Sequence, residues 1–400
     1  MLAGVVGHAE DAGPRQKRLA RQGFSLLAEV KRQHPAIADQ VIMHPSVGAW
    51  ALRAMGPPQG RTELAGADPG WLSAIAAAAA IRAGVPAEIE VEAVGGAVML
   101  PSLGQATVPG GAAIARNGQP HTEVFSAQGR VVIPADVHSD APGWLGLRRV
   151  QVGALDVIID DLDSFRMPSS TDLAPRLSPA DMTRFGGALK QAWPLLESDH
   201  PDVAAEVLQA VTVVVPLVPV PGGHISSSSS ATFGAVALSE PPDPYTCAET
   251  FAHEMQHLKL SALLDVVALT LPDDGKRYYA PWRDDPRPVG GLLQGAYAFL
   301  GVSGFWRRQR QFAPGKVGLR AETEFLRWRE AAGRVVDTLQ SSGRLTPTGV
   351  DFADGMTKTL DSWREERVSP EAEFLARRRA EKHLADWEAA NGPVSDGERG

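Results

Sequence analysis

Cysteine is nearly missing from this 400-residue chain, with Cys247 the only one. A lone thiol excludes an internal disulfide, a cysteine-held iron–sulfur cluster and a cysteine-based zinc site. It also fits a reducing cytoplasm. Long hydrophobic runs are missing as well. The longest, Ala74–Ile81 and Val211–Val220, fall well short of the roughly 20 apolar residues that span a bilayer. Met1–His8 has no basic stretch ahead of a long apolar core, so no secretory signal is expected there. Nor is there a basic excess: the net charge is −8 and the sequence pI is about 5.7, which argues against a nucleic-acid footprint. The expectation is a cytoplasmic protein with neither nucleic-acid nor membrane partners. A hydrophobic content of 44% supplies sizeable cores, and this length accommodates one large domain or two to three smaller ones.

The texture of the chain divides it into four stretches. Residues 1–85 read as helical, with an amphipathic basic helix over Gln16–Gln33 and further helices over Ile37–Met55 and Pro69–Ala83. Residues 86–175 carry short alternating runs separated by Gly, Pro and Asp: Ile89–Val94, Ala97–Leu100, Thr122–Phe125, Arg130–Ile133, Arg149–Val152 and Val157–Ile159. That spacing predicts an antiparallel β region, followed by a loop holding Ser164–Thr171. Residues 176–312 begin with a helix over Pro179–Leu196, capped by Ser178. They continue with strands at Val211–Val220 and Thr232–Leu238, separated by a Ser226–Ser230 loop. A helix follows from Asp243-Pro244 to about Leu269, then another over Pro288–Gln309. Residues 313–400 read as helices Ala321–Leu339, Val350–Arg364 and Pro370–Ala390, with a polar tail from Asn391. The fold class expected is α+β.

The chemistry concentrates at His253-Glu254-Met255-Gln256-His257, an H-E-x-x-H pattern inside a predicted helix. Residues four apart on a helix lie on one face, so both imidazoles reach one metal ion, with Glu254 beside them. Two imidazoles need a third ligand. In zincins it comes from a downstream helix, but Pro288–Gln309 contains no Glu, Asp or His. Gln294 is its first polar side chain and the first candidate. His224, Asp284, Asp285 and Glu254 itself, which would complete a 2-His-1-carboxylate face, are the others. Glu254 serves either as the base that activates a metal-bound water or as a ligand. Between the two helices lies Tyr278–Pro288. There Arg283 and Arg287, flanked by Tyr279 and Trp282, offer forked donors suited to a dicarboxylate co-substrate. Salt bridges to Asp284 and Asp285 are the equal alternative. Thr232–Leu238 could accept an extended peptide as an added strand, though plain sheet is the simpler expectation. Cys247, about 600° around the helix from His253, is expected to be buried packing.

Several motifs in one order resemble the HExxH-domain peptide-modification proteins. They are Ala248–Leu260 (AETFAHEMQHLKL), Ala280–Pro288 (APWRDDPRP), Leu292–Leu300 (LLQGAYAFL) and Phe305-Trp306-Arg307. Upstream, the segment from His34-Pro35 to His44-Pro45-Ser46-Val47-Gly48-Ala49-Trp50 is also similar, as are Leu100–Gly104 and Phe233–Val236. The likeness covers roughly residues 16 to 310. It implies an iron-containing, 2-oxoglutarate-dependent peptide β-hydroxylase with a zincin-like core. Such a protein acts on a ribosomally made precursor peptide in natural-product biosynthesis, sometimes alongside a pathway partner enzyme. His253 and His257 match the family's metal motif. Arg283 and Arg287 match its WRxDPRP segment, and their contact with 2-oxoglutarate is inferred. The single cysteine leaves no room for a radical-SAM module here. Two other readings stay open on the residues alone: a zinc-dependent peptidase of zincin type, and a catalytically idle peptide-binding scaffold.

Overall fold

The computed structural model describes residues 1–56, 67–167, 170 and 172–394. The expected loop at Ser164–Thr171 lies partly outside these residues, and so does the expected tail beyond residue 394. The fold is mixed α+β, and the chain forms two compact units. One contains residues 1–190 and 210–240; the other contains 191–209 and 241–400. Of the four stretches distinguished in the sequence, 1–85 and 86–175 lie in the first unit and 313–400 in the second, while 176–312 is divided between them. No helix among the described residues is long and apolar enough to cross a membrane.

The first unit opens with α1 (Leu2–His8), α2 (Pro14–Gln33), α3 (Pro35–Ile42), α4 (Pro45–Ala54) and α5 (Leu72–Ala83). The single helix expected over Ile37–Met55 is two, because Pro45 holds His44 in an extended conformation (ψ 131°) and restarts the helix. Every residue from Leu72 to Ala80 on α5 is buried, as suits a helix apolar all round. Its alanines let α2 come close. A Cβ at Gly23 of α2 would lie 2.6 Å from the Leu72 backbone.

Nine strands follow: β1 (Ala87–Glu92), β2 (Ala97–Leu100), β3 (Gly104–Thr107), β4 (Ala112–Asn117), β5 (Glu123–Phe125), β6 (Arg130–Val132), β7 (Trp144–Gly146), β8 (Arg148–Val152) and β9 (Leu155–Ile159). β3, β4 and β7 escaped the sequence pattern, since small residues such as those of Ala112–Asn117 carry no clear alternation. β1-β4-β5-β6 and β2-β3-β7 are antiparallel sheets, as expected. Two helices come next, α6 (Pro179–Asp199) and α7 (Pro201–Ala210). Then β10 (Val213–Pro216), β11 (Ser226–Ser227) and β12 (Ala235–Leu238) complete a third sheet, β11-β12-β10-β9-β8. This sheet is mixed: β10 runs parallel to both β9 and β12. Ser178 caps α6 by accepting from the Asp181 amide, as its sequence signal predicts.

The second unit is helical: the end of α6 and most of α7, then α8 (Pro244–Leu264), α9 (Val289–Gln309), α10 (Gly315–Ser341), α11 (Pro347–Ser362) and α12 (Pro370–Asn391). Asp243 caps α8 by accepting from the amides of Tyr245 and Thr246, and Ser369 caps α12 by accepting from Ala372. α8 stops at Leu264 rather than about Leu269. Leu269 instead offers its carbonyl to the Thr346 amide, and Thr270 bridges to Leu345. Leu260, Leu292, Leu293, Val335, Val336 and Met356 form the apolar interior shared by α8 to α11.

Candidate metal centre

The helical spacing of the motif brings its histidines together as the sequence requires. His253 Nε2 and His257 Nε2 face one another at 3.1 Å. The second histidine is oriented from α9, where Gln294 Oε1 lies 3.1 Å from His257 Nδ1. An amide oxygen only accepts, so this contact fits the tautomer with the proton on Nδ1, which leaves the Nε2 lone pair directed at His253. His253 is wedged against Phe299 (ring centroids 5.1 Å, edge-on). Burial pushes its imidazole down to about 4, so it is neutral near pH 7 and available as a donor.

Glu254 is buried, and its Oε1 is 4.0 Å from His253 Nε2. Gln294 contacts the outer nitrogen of His257, the position of an orienting partner. Among the described residues, no group of three His, Cys, Asp or Glu side chains is arranged to hold a metal ion. Of the other third-ligand candidates, His224 belongs to the first unit and meets the Ser239 hydroxyl at 3.1 Å. Asp285 is engaged by two arginines, and Asp284 is exposed.

The Tyr278–Pro288 segment is a closed loop, tied by reciprocal backbone hydrogen bonds of 2.9 Å between Tyr278 and Arg287. At its tip Arg283 Nε and Arg287 donate to the two oxygens of Asp285, each at 2.9 Å. Both forks therefore receive a carboxylate, supplied by the loop itself. Tyr279 is engaged with α12 instead. It is buried, its hydroxyl meets His383 Nδ1 at 2.9 Å, and its ring packs edge-on against Trp387 of α12. The guanidiniums acting electrostatically on it are Arg334 and Arg327, not the pair at Asp285. Cys247 is fully buried and burial pushes its thiol up to about 12, as a packing residue requires.

Sequence reasoning missed the aromatic wall behind His253. Trp282 stacks on Phe299 (4.7 Å, 18°), and Trp328 tilts against the same ring (4.3 Å). The indole of Trp282 lies over Gly295, where a Cβ would come within 2.4 Å of its Nε1. The glycine at the fourth position of LLQGAYAFL was the available signal. Also missed was Glu249, one turn before His253, whose carboxyl burial raises to about 7. A cleft of about 370 Å³ runs along α8 and α9, lined by Gln256, Lys259, Tyr297, Gly301, Arg308 and Trp363. No model of a known protein family matches this chain, and no curated protein matches it.

Proposed function

We propose that this chain is a non-haem iron, 2-oxoglutarate-dependent hydroxylase of a side chain in a ribosomally made precursor peptide, built on a zincin-like core. The single observation that carries the reading is the pair of facing imidazole nitrogens, with the His257 tautomer set by Gln294. This donor set suits a divalent transition metal: imidazole nitrogens from His253 and His257, with the Glu254 carboxyl adjacent. Iron bound there supplies the redox chemistry that couples 2-oxoglutarate oxidation to hydroxylation.

The remaining work belongs to the chain. Gln294 holds the His257 ring and its proton in place. Trp282, Phe299 and Trp328 form an aromatic wall on the His253 side. Arg283 and Arg287 already hold one carboxylate between them, and the distal carboxylate of 2-oxoglutarate would take the place of Asp285. A zinc peptidase reading draws on the same histidines with Glu254 as base. The absence of a downstream acidic or histidine ligand on α9 favours the oxygenase.

The test is anaerobic reconstitution with Fe(II) and a candidate ribosomal precursor peptide, with and without 2-oxoglutarate and air, read by mass spectrometry. The expected product gains one oxygen atom and requires both additions. Cleavage with zinc and no co-substrate would overturn the reading and assign Glu254 to water activation.

A further inference from the structure

β1 ends its sheet among the described residues, with β4 on one side only. The β1–β4 pairing runs from Ala87↔Asn117 to Glu92↔Ala112 and continues as the Ala93 amide donating to the Gly111 carbonyl. In an antiparallel ladder the hydrogen-bonded pairs alternate. That last bond therefore assigns the inward-facing groups to residues 87, 89, 91 and 93. The N–H and C=O groups of Glu88, Glu90 and Glu92 point the other way, out of the sheet. Alongside β1 runs a groove of about 570 Å³, walled by Arg21, Gln22, Ser25 and Leu26 of α2 and floored by Pro86–Glu90.

We propose that this groove binds a single extended peptide segment, which adds to β1 as a fifth strand. A helix standing beside an open sheet edge is the arrangement by which peptides dock through main-chain hydrogen bonds. The occupant is one strand of about six residues, matching the length of β1. Its apolar, β-branched side chains alternate with polar ones. The apolar set faces Leu26 and Ile89, and the polar set lies with Glu88 and Glu90.

Recognition rests on backbone rather than charge, because the carboxylates are already matched: Glu90 by Arg15 and Arg18, Glu88 by Arg116. A second copy of the chain is a poor occupant. Antiparallel pairing of two β1 strands about Glu90 sets Glu90 against Glu90 and Glu88 against Glu92, and like charges directly opposite destabilise a sheet. Read together with the proposed function, the segment is part of the precursor peptide held away from the reacting residue. That identification rests on the proposed function; the strand addition does not.

The experiment is panning of a phage-displayed random dodecapeptide library on the full chain. Recovered peptides are then measured by fluorescence anisotropy on wild type, Glu88→Ala and Glu88→Pro. Proline removes an N–H that points out of the sheet and fixes the local φ, a change an edge strand tolerates. Selected peptides are expected to alternate apolar and polar residues and to bind Glu88→Pro at least ten-fold more weakly than Glu88→Ala. On the wild type, which needs no variant to fold, bound peptide is expected to slow hydrogen exchange of the Glu88 and Glu90 amides. Equal affinity for the two variants, unchanged exchange, or no recovered peptide overturns the proposal. So does a dimer by sedimentation that Glu88→Pro dissociates. Metal and co-substrate are left out of these measurements, so the two ideas fail separately. Peptide binding without any oxidation sinks the hydroxylase alone. Oxidation of the precursor with the same KM in Glu88→Pro sinks the docking groove alone.

Discussion

At the scale of single residues, the two units use polar groups differently. In the second unit Gln294 spends its carbonyl on His257 Nδ1. Its worth is orientation, and partners of this kind typically change metal affinity about 10–100-fold. Gln294→Leu is therefore expected to weaken Fe(II) or Zn(II) binding by that factor in equilibrium dialysis, with helix content by circular dichroism unchanged. In the first unit Asp163 is buried beside Asp160. Burial first, then the neighbouring carboxyl, pushes Asp163 up to about 7, while the Phe165 amide and Arg166 pull it down. Because the folded value lies above the ordinary carboxylate range, the folded chain holds a proton that the unfolded chain releases. Stability is then full below about pH 4 and is lost as pH rises through about 7. Asp163→Asn keeps an acceptor for the Phe165 amide and is expected to flatten this fall in a series of thermal melts from pH 4 to 8. A melt series that declines as in wild type would refute the assignment.

At the scale of elements, α9 illustrates how a helix is shaped by what crosses it. Gly295 makes room for the Trp282 indole, which cannot fold away as a flexible side chain would. Gly295→Ala is an overpacking change, expected to cost about 1–3 kcal/mol. It should also displace Trp282 from its stack on Phe299, seen as a shift in tryptophan emission together with a lower Tm. An unchanged emission spectrum would mean the indole does not rest there. The caps at Ser178 and Asp243 were legible because an N-cap is a local bond between one side chain and amides two or three residues on. The end of α8 was not, because a contact 77 residues away in sequence, Leu269 with Thr346, decides where it stops. Nor was the break at His44-Pro45, where apolar spacing continues across a proline that the backbone cannot follow.

At the scale of the whole molecule, the chain passes between its two units more than once, so residues 191–209 and 241–400 build one and the rest build the other. Each has its own apolar interior. Scanning calorimetry is expected to resolve two transitions. One should fall in temperature as pH rises from 4 to 7 and respond to Asp163→Asn. The other should rise on adding Fe(II) or Zn(II), because a ligand stabilises only the unit that binds it. A single transition answering to both treatments would overturn this division.

The sequence alone determined what depends on near neighbours and on composition. It specified the mixed α+β class, the helix carrying H-E-x-x-H with its histidines on one face, the helix caps and the burial of Cys247. Those follow from helical periodicity, from capping side chains and from the apolar content of each stretch. Only the tertiary structure decided the partners of those groups. It put Gln294 on the outer nitrogen of His257, Asp285 between two arginines, Tyr279 on α12, and the parallel pairing of β10 within a sheet that local alternation reads as antiparallel. Each of these joins side chains or strands from separate parts of the chain, through directional contacts that leave no periodic trace in sequence.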